Sequence, residues 1–320
     1  MSRSTRRMRR GTALVAGALA AAVAVPAVAQ AQISQGPRAY AATANKKLLT
    51  FPLSNPLFAQ SRSITGLASG DTIVGIDERP LSGALYAVTK GNGGVARAYT
   101  INPATGQATL AFNLVMAGTT TPIVLSGTEF GVDFNPVADA LRIVSNSGQN
   151  LRAFPSTRPM AVPPRVIGDT VTDGPLSYVA TGVSPRPVEQ GVNSAAYTNN
   201  DADPATTTTA LYDIDAVTQR DLVLQSPPND GTLTTPVDLD LGARQVQGFD
   251  IRGASDAYVL LGGVRFGSAF EAFLNARQIV PSRVPVRLYS LNIATGTLQE
   301  RGLVGTSSPA VGFTIDIPTP

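Results

Sequence analysis

The chain has 320 residues, a formal charge of +3 and charged side chains at only 15% of positions, and it contains no Cys, His or Trp. Without Cys there is no disulfide, thiol nucleophile or iron–sulfur ligand, and without His there is no Ser-His-Asp triad and no imidazole zinc ligand. Five of the basic residues, Arg3, Arg6, Arg7, Arg9 and Arg10, lie in a leader with no acid, so the rest carries 20 bases against 22 acids and has no basic field to attract nucleic acid.

Residues 1–31 read as a signal peptide. A basic stretch precedes an Ala/Val-rich run, Thr12–Val25, too short to serve as a span. Small-x-small cleavage patterns end near Ala29 and Ala31. The expected location is secreted or periplasmic, with no membrane span in the mature chain. Residues 32–38 are a linker, and 39–320 are expected to form one domain.

From Tyr40 the chain repeats. Its clearest unit runs from Gly131 to Arg152. Val132 and Phe134 alternate with Asp133 in strand period, Asn135-Pro136 starts a turn, and Leu141 and Ile143 lie on a second strand. Asn146-Ser147-Gly148-Gln149 is a hairpin turn. The G-x-[DN] signature recurs at Gly75, Gly131, Gly191 and Gly248, with spacings of 56, 60 and 57 residues. That period fits a four-stranded sheet per repeat. Outer hairpins recur too: Tyr99-Thr-Ile-Asn-Pro-Ala-Thr-Gly106 matches Tyr289-Ser-Leu-Asn-Ile-Ala-Thr-Gly296.

The ends complement one another. Ala39-Tyr-Ala-Ala-Thr43 resembles the second strand Leu85-Tyr-Ala-Val-Thr89, whereas Val311-Gly-Phe-Thr-Ile-Asp-Ile317 resembles a first strand alone. The expected fold is therefore all-β: a five-bladed β-propeller of four-stranded antiparallel blades, closed by mixing N- and C-terminal strands, which removes exposed edges. Six blades or an open solenoid are the alternatives. Residues 262–285 are expected to be an insertion with a short helix, 268–277, whose Phe270, Phe273 and Leu274 share one face.

The stretches Gly75-Ile-Asp-Glu-Arg-Pro80, Phe130-Gly-Val-Asp-Phe-Asn-Pro-Val-Ala-Asp139, Gly148-Gln-Asn-Leu-Arg152 and Ala195-Ala-Tyr-Thr-Asn-Asn200 resemble a secreted bacterial family of unknown function, family forty-three ninety-four of that series. The similarity covers about Tyr40 to Ile317. It implies a propeller and brings no reaction, so it assigns no catalytic residue.

Three sets of candidate residues remain. Asp77, Asp133, Asn193 and Asp250 occupy equivalent motif positions, with Thr314 at the fifth by strict alignment and Asp316 two residues on. Were the protein an enzyme, Asp77, Asp133 and Asp250 would be its acid, base and orienting carboxylates in a glycan hydrolase or lyase. Repetition of one residue type in nearly every blade favours a structural role, with backbone N–H bonds fixing blade to blade. Arg142 and Arg152 offer planar forks for a ligand, alongside Asn193, or alternatively pair in salt bridges. Asn199, Asp201 and Asp203 offer alternating oxygens for Ca²⁺, or ordinary hairpin turns; that Ca²⁺, stabilising a scaffold, is the one cofactor considered. The expectation is a monomeric, non-catalytic binding module of the cell envelope or extracellular space. Its partner would be a glycan or an envelope protein, not nucleic acid.

Overall fold

A computed structural model describes residues 36–157, 164–178, 186–187, 191–201, 203, 208–216, 221–242, 244–263, 285–306 and 308–317. The leader over 1–31 and the helix expected over 268–277 lie outside the described residues.

Strand pairing forms five sheets. Blade 1 contains Thr72–Arg79, Ala84–Lys90, Ala96–Ile101 and Ala108–Asn113. Blade 2 contains Phe130–Asn135, Ala140–Ser145, Asn150–Ala153 and Asp169–Thr172. Blade 3 contains Val192–Tyr197, Leu211–Asp215, Asp221–Gln225 and Thr232–Asp238. Blade 4 contains Gln245–Arg252, Asp256–Gly262, Val286–Leu291 and Leu298–Val304. Blade 5 joins the ends: Ala310–Ile315 is its inner strand, followed by Arg38–Thr43, Lys47–Pro52 and Gln60–Ser63.

The five-bladed closure expected from the complementary termini is thus observed, and no sixth sheet forms among the described residues. Two blades are wider than expected. Val115–Met116 adds a parallel strand to blade 2, and Ser177–Tyr178 with Arg186–Pro187 extends blade 3 to six strands.

Inner strands are nearly all buried because both faces pack against neighbouring blades. A hydrophobic cluster fills each of the five seams. Between blades 1 and 2, Tyr86 meets Phe134 edge-on at 5.2 Å. Each fully buried Leu, Ile, Val or Phe contributes about 1.5–3 kcal/mol, so the seams hold the ring together.

Register along the inner strands is five-fold. The second-strand residues Tyr86, Arg142, Tyr212, Tyr258 and Tyr40 stand opposite Asp77, Asp133, Ala196, Asp250 and Thr314. This pairing corrects the expected ring. Ala196, not Asn193, holds blade 3's place. The signature at Gly191 imitates the motif, but the bulge that precedes Gly75 and Gly248 in blades 1 and 4 precedes Ser194 here, so the motif position falls three residues later.

Candidate functional site: a polar funnel over a ring of carboxylates

The N-terminal ends of the inner strands splay into a funnel of 710 Å³ at one mouth of the central channel. Its wall includes residues from every blade, among them Lys90, Glu129, Asn193, Gln245, Gln247 and Pro309. Lys90 Nζ donates to Gly127 O at 2.8 Å and sits 5.5 Å from the Phe130 ring centre. Asn193 Nδ2 donates to Glu129 Oε2 at 3.1 Å and to Val246 O at 3.2 Å. Gln247 Oε1 accepts from Ala310 N. Arg244 donates to Leu241 O and stacks over Tyr289, so its donors are held by the wall while its charge, with that of Lys90, stands against Glu129. Gln245 is exposed. The lining thus mixes donors and acceptors with no dominant charge.

The funnel has a tight floor. Gly75, Gly131, Ser194, Gly248 and Gly312 ring the channel, and the space left there is 20 Å³, room for about one water. Glycine is required because each blade leans on the next. A Cβ on Gly75 would lie 2.3 Å from Val132 Cγ2, and one on Gly131 would lie 2.5 Å from Ala195 N.

Two residues beyond that floor lies the carboxylate ring. Its bonds follow one rule: the ring residue of one blade accepts the N–H one residue past the ring position of the next blade. Asp77 Oδ2 accepts from Phe134 N at 2.7 Å, Asp133 Oδ2 from Tyr197 N at 2.6 Å, and Asp250 Oδ2 from Ile315 N at 2.6 Å. Thr314 Oγ1 completes the circuit by accepting from Glu78 N at 3.3 Å, and it donates to Asp77 Oδ1 at 2.8 Å. Ala196 cannot accept. The N–H it would have served, Ile251 N, goes instead to Asp250's own Oδ1 at 2.6 Å.

One oxygen from each of Asp77, Asp133 and Asp250 lies within 4.8 Å of the other two, and all three residues are buried. Burial, reinforced by Asp250, holds Asp77 well above the usual carboxylate range. Burial, with Asp77 and Asp250 nearby, does the same for Asp133. Burial pushes Asp250 up to about 6. Oxygen donors at this spacing are of a type that suits a hard cation.

The arginines lie elsewhere. Arg142 is 1% exposed and gives four of its five N–H donors, to Tyr197 Oη, Asn150 Oδ1, Asp173 Oδ2 and Asn229 Oδ1. Arg152 forks onto both oxygens of Asp173. This network staples blade 2 to the Pro228–Asp230 turn of blade 3. Asn199 takes a left-handed backbone, and its Nδ2 donates to Thr208 O; Asp201 Oδ1 accepts from Asp203 N in an Asx turn. Of the expected residues, the structure brings together Asp77, Asp133 and Asp250, and it places Asn193 in the funnel wall.

The sequence reading missed the other funnel residues. Their signal was position: Glu129, Gln245 and Pro309 each lie at or just before the start of an inner strand. It also missed Asp213, which is fully buried against the seam between blades 2 and 3. Among the described residues neither of its oxygens has a hydrogen-bond partner, and burial pushes it up to about 8, with Arg142 opposing the rise.

Among the described residues no helix is long and apolar enough to cross a membrane. No curated protein matches the chain. Among solved structures, a chain of the nidogen/laminin complex overlays with a TM-score of 0.45 at 11% identity, covering 88% of this chain and 99% of that one. TolB from Acinetobacter baumannii gives 0.40 at 14% identity, covering 91% and 70%. A protein from Lactobacillus plantarum gives 0.35 at 13% identity, covering 86% and 70%. The blade count rests on strand pairing and not on these overlays. Residues 47–314 match the family model described as domain of unknown function DUF4394, and the chain belongs to that family.

Proposed function

We propose that this protein is a non-catalytic binding module whose funnel receives an uncharged, hydroxyl-rich ligand, the end of a glycan chain. One observation carries the reading: a concave site of 710 Å³ walled by all five blades draws hydrogen-bonding side chains from four of them and has no dominant charge. That volume is typical of small-ligand sites, and a concave wall of amides and hydroxyls suits sugar hydroxyls better than a flat protein face. The narrow floor limits the funnel to a chain end and leaves the carboxylates on its far side. The basic and apolar halves of residues 1–31, read as a signal peptide, support an action outside the cytoplasm.

Calorimetric titration of the full chain with a panel of oligosaccharides tests the reading. Binding without turnover is expected, weakened about tenfold by Asn193→Ala or Gln245→Ala, the loss of one or two ligand hydrogen bonds. Release of reducing ends that Asp77→Asn abolishes would replace the binding module with a hydrolase.

A further inference from the structure

Beyond the funnel, the carboxylate ring poses a problem of charge. Asp77, Asp133 and Asp250 are each at most 4% exposed, and their facing oxygens lie within 4.8 Å of one another. Among the described residues no lysine or arginine pairs with any of the three. Backbone N–H groups of Phe134, Tyr197, Ile251 and Ile315 and the Thr314 hydroxyl are their bonded partners. These dipoles lessen the repulsion without cancelling the charges.

The surrounding elements add acid rather than base. Glu78 follows Asp77 on the blade 1 inner strand, and Asp316 follows the blade 5 inner strand; both raise the local negative potential. Arg38 and Arg252 act on Asp316, while Arg142 acts on Tyr197 and is itself held by Asp173. Tyr40, on the second strand of blade 5, feels Glu78 and Asp316. Among the described residues no cation bonds a ring carboxylate; Arg252, two residues past Asp250, acts on Asp316 and keeps its Nε without a hydrogen-bond partner.

The geometry points to a proton-loaded clasp: Asp77, Asp133 and Asp250 share protons in place of a cation, and those protons keep the blade seams closed, so the ring holds more tightly in acid and loosens as the medium turns alkaline. Each carboxyl that keeps a proton can donate across the cluster while its other oxygen still accepts from the next blade. Loss of the protons to solvent base leaves like charges facing one another on different blades, which pushes the seams apart.

The sign follows from linkage. The three groups bind protons more tightly folded than unfolded, so folding takes up protons, and the stability they contribute falls as pH rises through their folded values. For Asp250 that fall starts at the ordinary carboxylate range and is complete by about 6, and Asp77 and Asp133 act in the same direction.

Thermal unfolding of the full chain from about pH 5 to about pH 9, in chelator and again in millimolar calcium, tests the clasp. In chelator the Tm of the wild-type chain is expected to fall by on the order of 5 °C or more across that range. Asp133→Asn, which supplies a permanent N–H where the proton sat, should flatten the profile and melt above wild type at the alkaline end. Asp250→Asn is a second route to the same result should Asp133→Asn fail to fold. Glu78→Gln should remove only that residue's share, which is lost by about 7. A Tm that does not fall with pH would overturn the clasp, and so would a fall that both Asn variants leave unchanged. A calcium-dependent rise in Tm that Asp133→Asn abolishes would also overturn it, in favour of a cation site.

Discussion

The two ends of the channel are built from the same five strands, yet they do opposite things with polar groups. At the funnel, Gln245 and Glu129 face open space and Asn193 spans two blades. At the ring, only a few residues further along, each polar side chain is buried and bonded to the backbone of the next blade. The floor of glycines separates the two ends. The difference shows how a propeller divides its channel: side chains before the tight ring can serve a ligand, and those after it serve assembly.

Substitutions can break this division, and the tight floor should respond most. Gly131→Ala pushes a Cβ into the backbone of Ala195 and Ser194, which cannot move aside as a flexible side chain can. A loss of about 3 kcal/mol is expected in denaturant unfolding. Next comes the ring. Asp250→Ala orphans the N–H groups of Ile315 and Ile251 and should cost about 2 kcal/mol, more in acid than in alkali because removing one carboxylate also removes repulsion. Ser194→Gly, at the one floor position that already carries a side chain, should cost only ~0.5 kcal/mol. Gln245→Ala in the funnel should leave Tm within the range expected of a change under ~0.5 kcal/mol and alter ligand titration alone. If Gln245→Ala instead destabilised the chain as much as Asp250→Ala, the two ends would not be functionally distinct.

Much of this architecture was legible in the sequence. The spaced signatures at Gly75, Gly131 and Gly248 mark three true inner strands, and the half-repeats at Ala39 and Val311 announced a shared blade. Thr314 was correctly aligned with the ring from its place in the last repeat. Blade 3 misled because Gly191-Val-Asn193 reproduces the signature three residues before the real ring position, Ala196. Such an offset is a property of pairing, and no single strand displays it. The extra strands Val115–Met116 and Ser177–Tyr178 are too short to show a period of two. Arg142 was visible as an arginine in a strand where other blades carry tyrosine. Its burial depends on Asp173 and Asn229, which lie 31 and 87 residues away.

The shared fifth blade has a consequence for how the chain is made. Arg38 N bonds Asp316 across 278 residues of sequence, and Arg38–Thr43 has no inner partner until Ala310–Ile315 exists. On the ribosome, the first strands to emerge therefore wait for the last. Blades 1 to 4 can each assemble from local hairpins as they appear, but the ring closes only once Ala310–Ile315 is available, against the entropy of its longest loop. Premature termination upstream of Ala310 would leave a polypeptide with an unpaired hairpin at one end and a bare blade flank at the other, prone to associate with its own kind.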